Sequence, residues 1–325
     1  MNDLLGVVAL ALAALCAGVM GFAIQRGGTC TVAAVEQLVG GRGCGRLAAL
    51  AEASLWVAGG LVVARALHAL PVMPAGYALT AWTLLGGALL GLGALVNRAC
   101  VFGALARFGS GEWAYAAMPV GFYVGCLAVG TMSIPVPVPQ AGISPVLVAP
   151  AILVWPFVAF LAWRSAAAIR SAAGWRQLLA ERLWTPHAAT VVIGVTFLAT
   201  LFLAGAWAYT DVLAELAHGM AMSLAARGLL ALALLTGAVY GGMTAGRRRR
   251  VPVAFAGIGR CFVGGVLMGC GSLLIPGGND GLILVGVPLL WPYAWAAFAT
   301  MCLVIALSLW ILGRRARRRD LHLPI

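Results

Sequence analysis

Charge is what this sequence has least of. Only 9% of its 325 residues are Asp, Glu, Lys or Arg, where a soluble domain carries roughly 25%. Lysine is missing altogether: all 21 basic residues are arginine, set against nine acids. So little polar surface excludes a globule immersed in water. With 63% hydrophobic residues and a mean hydropathy of +1.01, the chain reads as a polytopic membrane protein. The net charge of +12 does not make it a nucleic-acid binder, because the arginines stand in short blocks (164–182, 247–250, 314–319) between apolar runs. That is the pattern of cytoplasmic loops under the positive-inside rule. The eight cysteines form no CxxC, so neither a zinc-type ligand set nor thioredoxin-like redox chemistry has its spacing. No metal and no cofactor is expected. The N-terminus has neither a basic leader nor a small-x-small cleavage site, so its apolar run is a first span and not a removed signal peptide.

A hydrocarbon core of roughly 30 Å takes about 20 apolar residues per helix. On that rule the sequence predicts an all-α fold with about nine spans, near 4–24, 47–66, 78–97, 113–133, 147–163, 188–207, 223–241, 253–273 and 293–312. An odd number puts the two ends on opposite sides. The arginine-rich tail and the 164–187 loop then lie in the cytoplasm and the N-terminus outside. Arg42, Arg46 and 247–250 also fall inside, and Asp211, Glu215 and His218 fall in an outer loop. Three stretches, 25–38, 98–107 and 275–288, are too short, too glycine-rich or too polar to be full spans. Irregular backbone at membrane depth is tolerated only where protein or a water-filled cavity supplies partners. These stretches read as re-entrant half-helices, with ordinary surface loops as the rival reading. Pro135, Pro137 and Pro139 with Gly142 and Pro145 predict a stiff connector after the fourth span. The basic loop 164–187, with Trp175 and Trp184, reads as an interfacial helix.

The chain also repeats itself. Gly86-Gly87-x-Leu89-x-Gly91-x-Gly93-x-Leu95 returns 178 residues later as Gly264-Gly265-x-Leu267-x-Gly269-x-Gly271-x-Leu273, and at the same offset Trp113 meets Trp291 and Tyr115 meets Tyr293. In the nine-span count 78–97 and 253–273 run in opposite directions. The repeat is then inverted within a single membrane domain, 1–325, with halves of about 1–145 and 188–313 joined by the 164–187 loop. Inverted repeats place the substrate near the midplane, where broken helices meet.

Three cysteines stand apart from the rest by context. Cys30 lies in Gln25-Arg26-Gly27-Gly28-Thr29-Cys30, Cys100 in Asn97-Arg98-Ala99-Cys100-Val101-Phe102-Gly103, and Cys270 in Gly269-Cys270-Gly271 ahead of Gly277-Gly278-Asn279-Asp280. Each is beside glycine, which lets a substrate approach the backbone, and beside a helix break, where free N–H groups favour an anion. Cys16, Cys126, Cys261 and Cys302 read as small apolar residues in helices. Arg26 and Arg98 offer planar forks for an oxyanion. Asp280 reads as a residue that orients its loop. Glu52, inside a span, either pairs with an arginine or carries a proton.

Arg26-x-x-x-Cys30, Asn97-Arg98-x-Cys100-x-x-Gly103 and Gly269-Cys270-Gly271 with Gly277-Gly278-Asn279 resemble the motifs of the YeeE/YedE membrane family over nearly the whole chain. The resemblance implies a transporter of the bacterial inner membrane that imports thiosulfate. It also implies a nine-span bundle with extra half-helices, and a central path lined by Cys30, Cys100 and Cys270. A cytosolic TusA-like sulfurtransferase is the implied partner, here expected as a separate protein. Beside the thiols, Arg98, Arg26, Asn97 and Asn279 are the candidate path residues. Thiols suit such a task. Sulfur is soft and S–H is a weak donor, so a dianion can be held loosely and passed on, as conduction requires. A thiolate would repel a dianion, so the thiols are expected to work protonated. The alternatives are a selenium compound, sulfite or sulfide as substrate, or a membrane thiol enzyme acting on sulfur–sulfur bonds.

Overall fold

The computed structural model describes residues 2–132, 137–140, 144–148, 150–171, 184–217, 224–246 and 252–320. Thirteen helices matter for the site. Four pairs of long helices each bracket a short one: α1 (Asn2–Gly27), α2 (Thr31–Val39), α3 (Gly45–Ala66); α4 (Ala81–Asn97), α5 (Val101–Gly109), α6 (Ala117–Thr131); α8 (Pro186–Ala204), α9 (Tyr209–Ala217), α10 (Leu224–Thr244); and α11 (Phe255–Leu274), α12 (Asn279–Gly281, continued by a π-turn Leu282–Gly286), α13 (Pro292–Asp320). Between the second and third sets lies α7 (Val154–Ser171).

Local chemistry sets several boundaries. Thr80 and Thr83 close a capping box at the start of α4. Thr185 accepts a bond from the Ala188 N–H ahead of Pro186 at the start of α8, where a proline costs nothing because its missing N–H has no helical partner. α4 ends at Arg98, held in the left-handed region at φ +59°.

The repeat extends far beyond its glycine stretch. Adding 178 to the bounds of α2 gives 209–217, the bounds of α9. Adding 178 to those of α5 gives 279–287, of which α12 and its π-turn occupy 279–286. The packing also fixes directions. α4 and α11 cross through their glycines: a Cβ on Gly271 would lie 2.6 Å from the Gly86 carbonyl oxygen, and one on Gly93 2.7 Å from that of Gly264. One number rises as the other falls, so the two run antiparallel. Small residues in such pairs let backbones touch, which is how membrane helices associate where no hydrophobic force drives them. By the same logic α1 runs parallel to α10 (Gly18 on Gly237, Gly21 on Ala238) and α6 to α11 (Gly121 on Phe262, Gly125 on Val266). α4 likewise runs parallel to α13 and α3 to α8. Gly27, at the end of α1, meets Ala189 at the start of α8. Each helix therefore opposes its repeat counterpart: α1 against α8, and α4 against α11.

Two expectations change. Among the described residues, eight of the nine expected spans are helices long and apolar enough to cross a membrane, and the expected fifth, 147–163, is the exception. There Pro150 and Pro156 interrupt the run, leaving a single turn at Pro145–Val148 and a short apolar segment, Val154–Arg164. The helix directions still require the chain to return across the bundle between α6 and α8, and α7 is the described piece on that route. The second change is that Asp211 and Glu215 do not sit in a loop. They belong to a fourth half-helix, α9, which buries Tyr209, Thr210 and Val212. An amphipathic nine-residue stretch carrying two acids hides this in the sequence.

Other expectations find their place. Pro139 and Gln140 pair antiparallel with Tyr77 and Gly76, pinning the proline connector to the α3–α4 link. Glu52 pairs with an arginine: the Arg164 Nε donates to Oε1 at 2.6 Å, and His187 Nδ1 lies 2.6 Å from Oε2. This buried carboxylate ties α7 and the start of α8 to α3. Trp184 packs edge-on against Phe22 at 5.6 Å. Pro135, Gly142, Trp175, His218 and 247–250 lie outside the described residues.

Candidate functional site

The four half-helices begin at the centre of the bundle, and their first residues touch in a chain. Cys30 is the N-cap of α2 and Cys100 the N-cap of α5, both in extended backbone. The N–H of Thr31, the first of α2, donates to Cys100 Sγ at 3.1 Å, and the Cys100 thiol faces Cys30 Sγ at 3.7 Å. Thr31 Oγ1 donates to Asn279 Oδ1 at 3.2 Å, which brings in α12. The next residue, Asp280, accepts from the Thr210 N–H at 3.1 Å and from the Thr210 hydroxyl, which brings in α9. Gly278 is required at this last junction, because a Cβ there would overlap Thr210 Oγ1.

The electrostatic consequence follows from helix geometry. A helix N-terminus carries roughly half a positive charge and unpaired N–H groups. Here several such termini, three of them on nine-residue helices, point at one region where Cys30, Cys100, Thr31 and Asn279 gather and Asp280 is the acid, held by Thr210. Asn279 is fully buried, and its Nδ2 donor has no partner among the described residues. A buried donor without an acceptor costs about 1–3 kcal/mol, and an anion at this junction would relieve that cost.

The sequence-predicted residues divide into groups. Cys30, Cys100 and Asn279 come together through Thr31, a residue the sequence did not single out. Cys270 sits apart on α11, where its thiol donates to the Gly125 carbonyl of α6 at 3.5 Å. Cys126 lies beside it, donating to the Gly269 carbonyl at 3.7 Å. Asn97 shapes the break ahead of Cys100. Its Nδ2 donates to the Ala99 carbonyl at 2.8 Å, and its own carbonyl accepts from Tyr115 Oη at 3.1 Å. Arg26 is buried against Phe22, 4.9 Å from the ring centre, and donates to Thr244 Oγ1 at 2.9 Å. Arg98 is exposed.

Arg98 lines a cavity of about 280 Å³ whose other walls include Cys30, Gly103, Arg46, Arg107, Glu36 and Glu112. Two ion pairs, Arg107–Glu112 at 3.6 Å and Arg42–Glu36 at 4.0 Å, balance the acids. Arg46 and Arg98 have no acidic partner among the described residues. The cavity is therefore net positive, and Cys30 lies in its wall while Cys100, which faces Cys30, is fully buried. Among the described residues no His or carboxylate hydrogen-bonds to Cys30, Cys100 or Cys270. No group of three His, Cys, Asp or Glu side chains is arranged to hold a metal ion there either.

The sequence reading missed Thr31, Thr210 and Tyr115. The first two carry a signal that was available: both lie at the starts of half-helices related by the 178-residue offset. Tyr115 was visible as a repeat position, but its bond to the Asn97 carbonyl needs coordinates.

A family model described as sulphur transport matches residues 26–307 of the chain, from the last turn of α1 into α13. No individual curated protein matches it.

Proposed function

The chain belongs to the YeeE/YedE family of sulphur transporters, and on that premise we propose that it imports thiosulfate, or a closely related inorganic sulfur ion, through the junction of its half-helices. The observation that carries this reading is the Cys30–Cys100 contact of 3.7 Å at facing helix N-termini. The termini favour the dianion as a whole. The two thiols offer its terminal sulfur weak, soft contacts in sequence, and the unpartnered Asn279 Nδ2 offers an oxygen a donor. Weak binding at adjacent positions permits passage, where one strong site would trap the ion.

The cavity at Arg46 and Arg98 fits the inner mouth, because arginine-rich faces of membrane proteins lie in the cytoplasm. On that orientation the N-terminus is periplasmic, the C-terminus cytoplasmic, and the membrane is the bacterial inner membrane. Cys270 then serves the outer half of the path. Moving a dianion inward against an inside-negative potential costs about 4.6 kcal/mol per 100 mV, twice the single-charge figure. Removal of the ion inside, by a TusA-like sulfurtransferase, would meet that cost. Transport is favoured over catalysis because, among the described residues, no His or carboxylate hydrogen-bonds to the thiols.

Uptake of radiolabelled thiosulfate into proteoliposomes tests the proposal, with sulfate and selenite as competitors. Saturable uptake that resists excess sulfate is the expected result. Saturable uptake of labelled selenite with none of labelled thiosulfate would move the substrate to a selenium compound. No uptake with any of these ions, with or without a sulfurtransferase inside, would overturn it.

A further inference from the structure

Two thiols 3.7 Å apart are a dithiol, and the structure gives them unequal access. Cys30 lies in the wall of the inner cavity, whereas Cys100 is fully buried behind it. A disulfide needs its sulfurs at about 2.05 Å, so they must close by about 1.7 Å. Both residues sit in extended N-cap positions, and the bond that Cys100 Sγ accepts from the Thr31 N–H at 3.1 Å already holds it beside the start of α2, next to Cys30. Gly103 leaves open the space next to Cys30 Sγ, since a Cβ there would lie only 2.5 Å from the sulfur.

We propose that Cys30 and Cys100 form a modification site: a polythionate anion entering the positive cavity oxidises them to a disulfide, which closes the path until a small thiol reduces it. The class of oxidant follows from the cavity. Arg46 and Arg98 attract an oxyanion, and a sulfur–sulfur bond within that anion is what a thiolate attacks. With tetrathionate the atoms balance in two steps. The Cys30 thiolate attacks an inner sulfur, forming a bond from Cys30 Sγ to that sulfur and breaking the central sulfur–sulfur bond, so that one thiosulfate leaves. The Cys100 thiolate then attacks Cys30 Sγ, forming the Sγ–Sγ bond and expelling the second thiosulfate. Two thiols and one tetrathionate give one disulfide, two thiosulfates and two protons, which pass to solvent. The two thiol sulfurs lose two electrons and the central bond of the tetrathionate takes them up. Exposure assigns the order, with Cys30 attacking and Cys100 resolving. The choice of oxidant rests on the proposed path for a sulfur oxyanion; the pairing of the two thiols rests on geometry alone.

The test reads the bond itself, so it does not depend on uptake. Full-length protein is treated with tetrathionate in a Cys44→Ser background, which removes the exposed thiol, and is then digested after arginine. Cys30 and Cys100 fall in separate fragments, 27–42 and 99–107, each with one cysteine. The expected result is a mass for the two fragments joined, lost on adding a dithiol reductant. In Cys100→Ser the reaction should stop with a thiosulfate-sized adduct on fragment 27–42. Fragments that stay unlinked in the background protein, or an adduct that appears on 99–107 in a Cys30→Ser variant as fast as on 27–42 in Cys100→Ser, would overturn the proposal. In proteoliposomes that do take up thiosulfate, oxidation should lower the rate at least tenfold and reduction should restore it. Unchanged uptake by fully cross-linked protein would overturn the closing of the path while leaving the pairing intact.

Discussion

Replacing Gly103 by alanine adds one methyl group at the wall shared by the thiols. That methyl would lie 2.5 Å from Cys30 Sγ, 3.0 Å from Cys30 Cβ and 3.1 Å from Ala99 Cβ. Ordinary carbon contacts begin at about 3.5 Å, so the sulfur must yield by about 1 Å. The Ala99 and Cys30 backbones are held by helix ends and cannot share much of that shift. The 3.7 Å approach of the two thiols therefore gives way. Overpacking a filled core costs about 1–3 kcal/mol, and if half of that falls on the transport barrier, uptake drops by about two- to tenfold, each 1.4 kcal/mol being one decade. The assay is the initial rate of thiosulfate uptake into proteoliposomes at matched protein density. Gly228→Ala is the control, because a Cβ on Gly228 meets nothing within 4 Å. A Gly103→Ala protein that is folded, elutes normally and transports at the wild-type rate would refute the idea that the substrate passes beside Cys30.

Three further outcomes follow from the same geometry. Asn279→Ala removes the buried donor and the partner of Thr31 Oγ1; a bond to a charged group is worth about 1.5–3 kcal/mol, so KM for thiosulfate should rise at least tenfold, measured in the same vesicles. Thr210→Val takes a hydroxyl from buried Asp280 and should cost about 1–3 kcal/mol of stability, seen as a lower melting temperature in detergent, and an unchanged melt would contradict the role given to that junction. Glu52→Gln breaks the link of α7 and α8 to α3. Its partners are part-exposed, so the loss should be about 1–3 kcal/mol, below that of a fully buried pair, and restored in part by adding Arg164→Met.

The fold was legible where the sequence carries a period or a shortage. The lack of charge gave the class, apolar runs gave the eight membrane-length helices among the described residues, and the glycine repeat with the span count gave the inversion that the antiparallel α4–α11 crossing displays. Three of the four half-helices were visible because glycine and polar residues interrupt apolar runs. The fourth, α9, was not, because its residues alternate in a way that an outer loop also permits, and burial of Thr210 against Asp280 is a tertiary fact. The same divide runs through the site. The contexts of Cys30, Cys100 and Cys270 marked them as unlike the other cysteines, and the first two of these meet. Nothing local distinguishes an arginine that lines a cavity, like Arg98, from one that packs on Phe22 and Thr244, like Arg26. Nor does spacing tell that Cys270 turns its thiol to Gly125. Those choices depend on which face of a helix another helix covers.

The most direct measurement is the saturable rate of thiosulfate uptake in proteoliposomes holding wild type, Cys30→Ala, Cys100→Ala or, as a control, Cys16→Ala, a cysteine of α1 with no place in the half-helix junction. Conduction through the thiol pair predicts rates at least tenfold down in the first two variants and unchanged in the third. Wild-type uptake by a Cys30→Ala, Cys100→Ala double variant would contradict it.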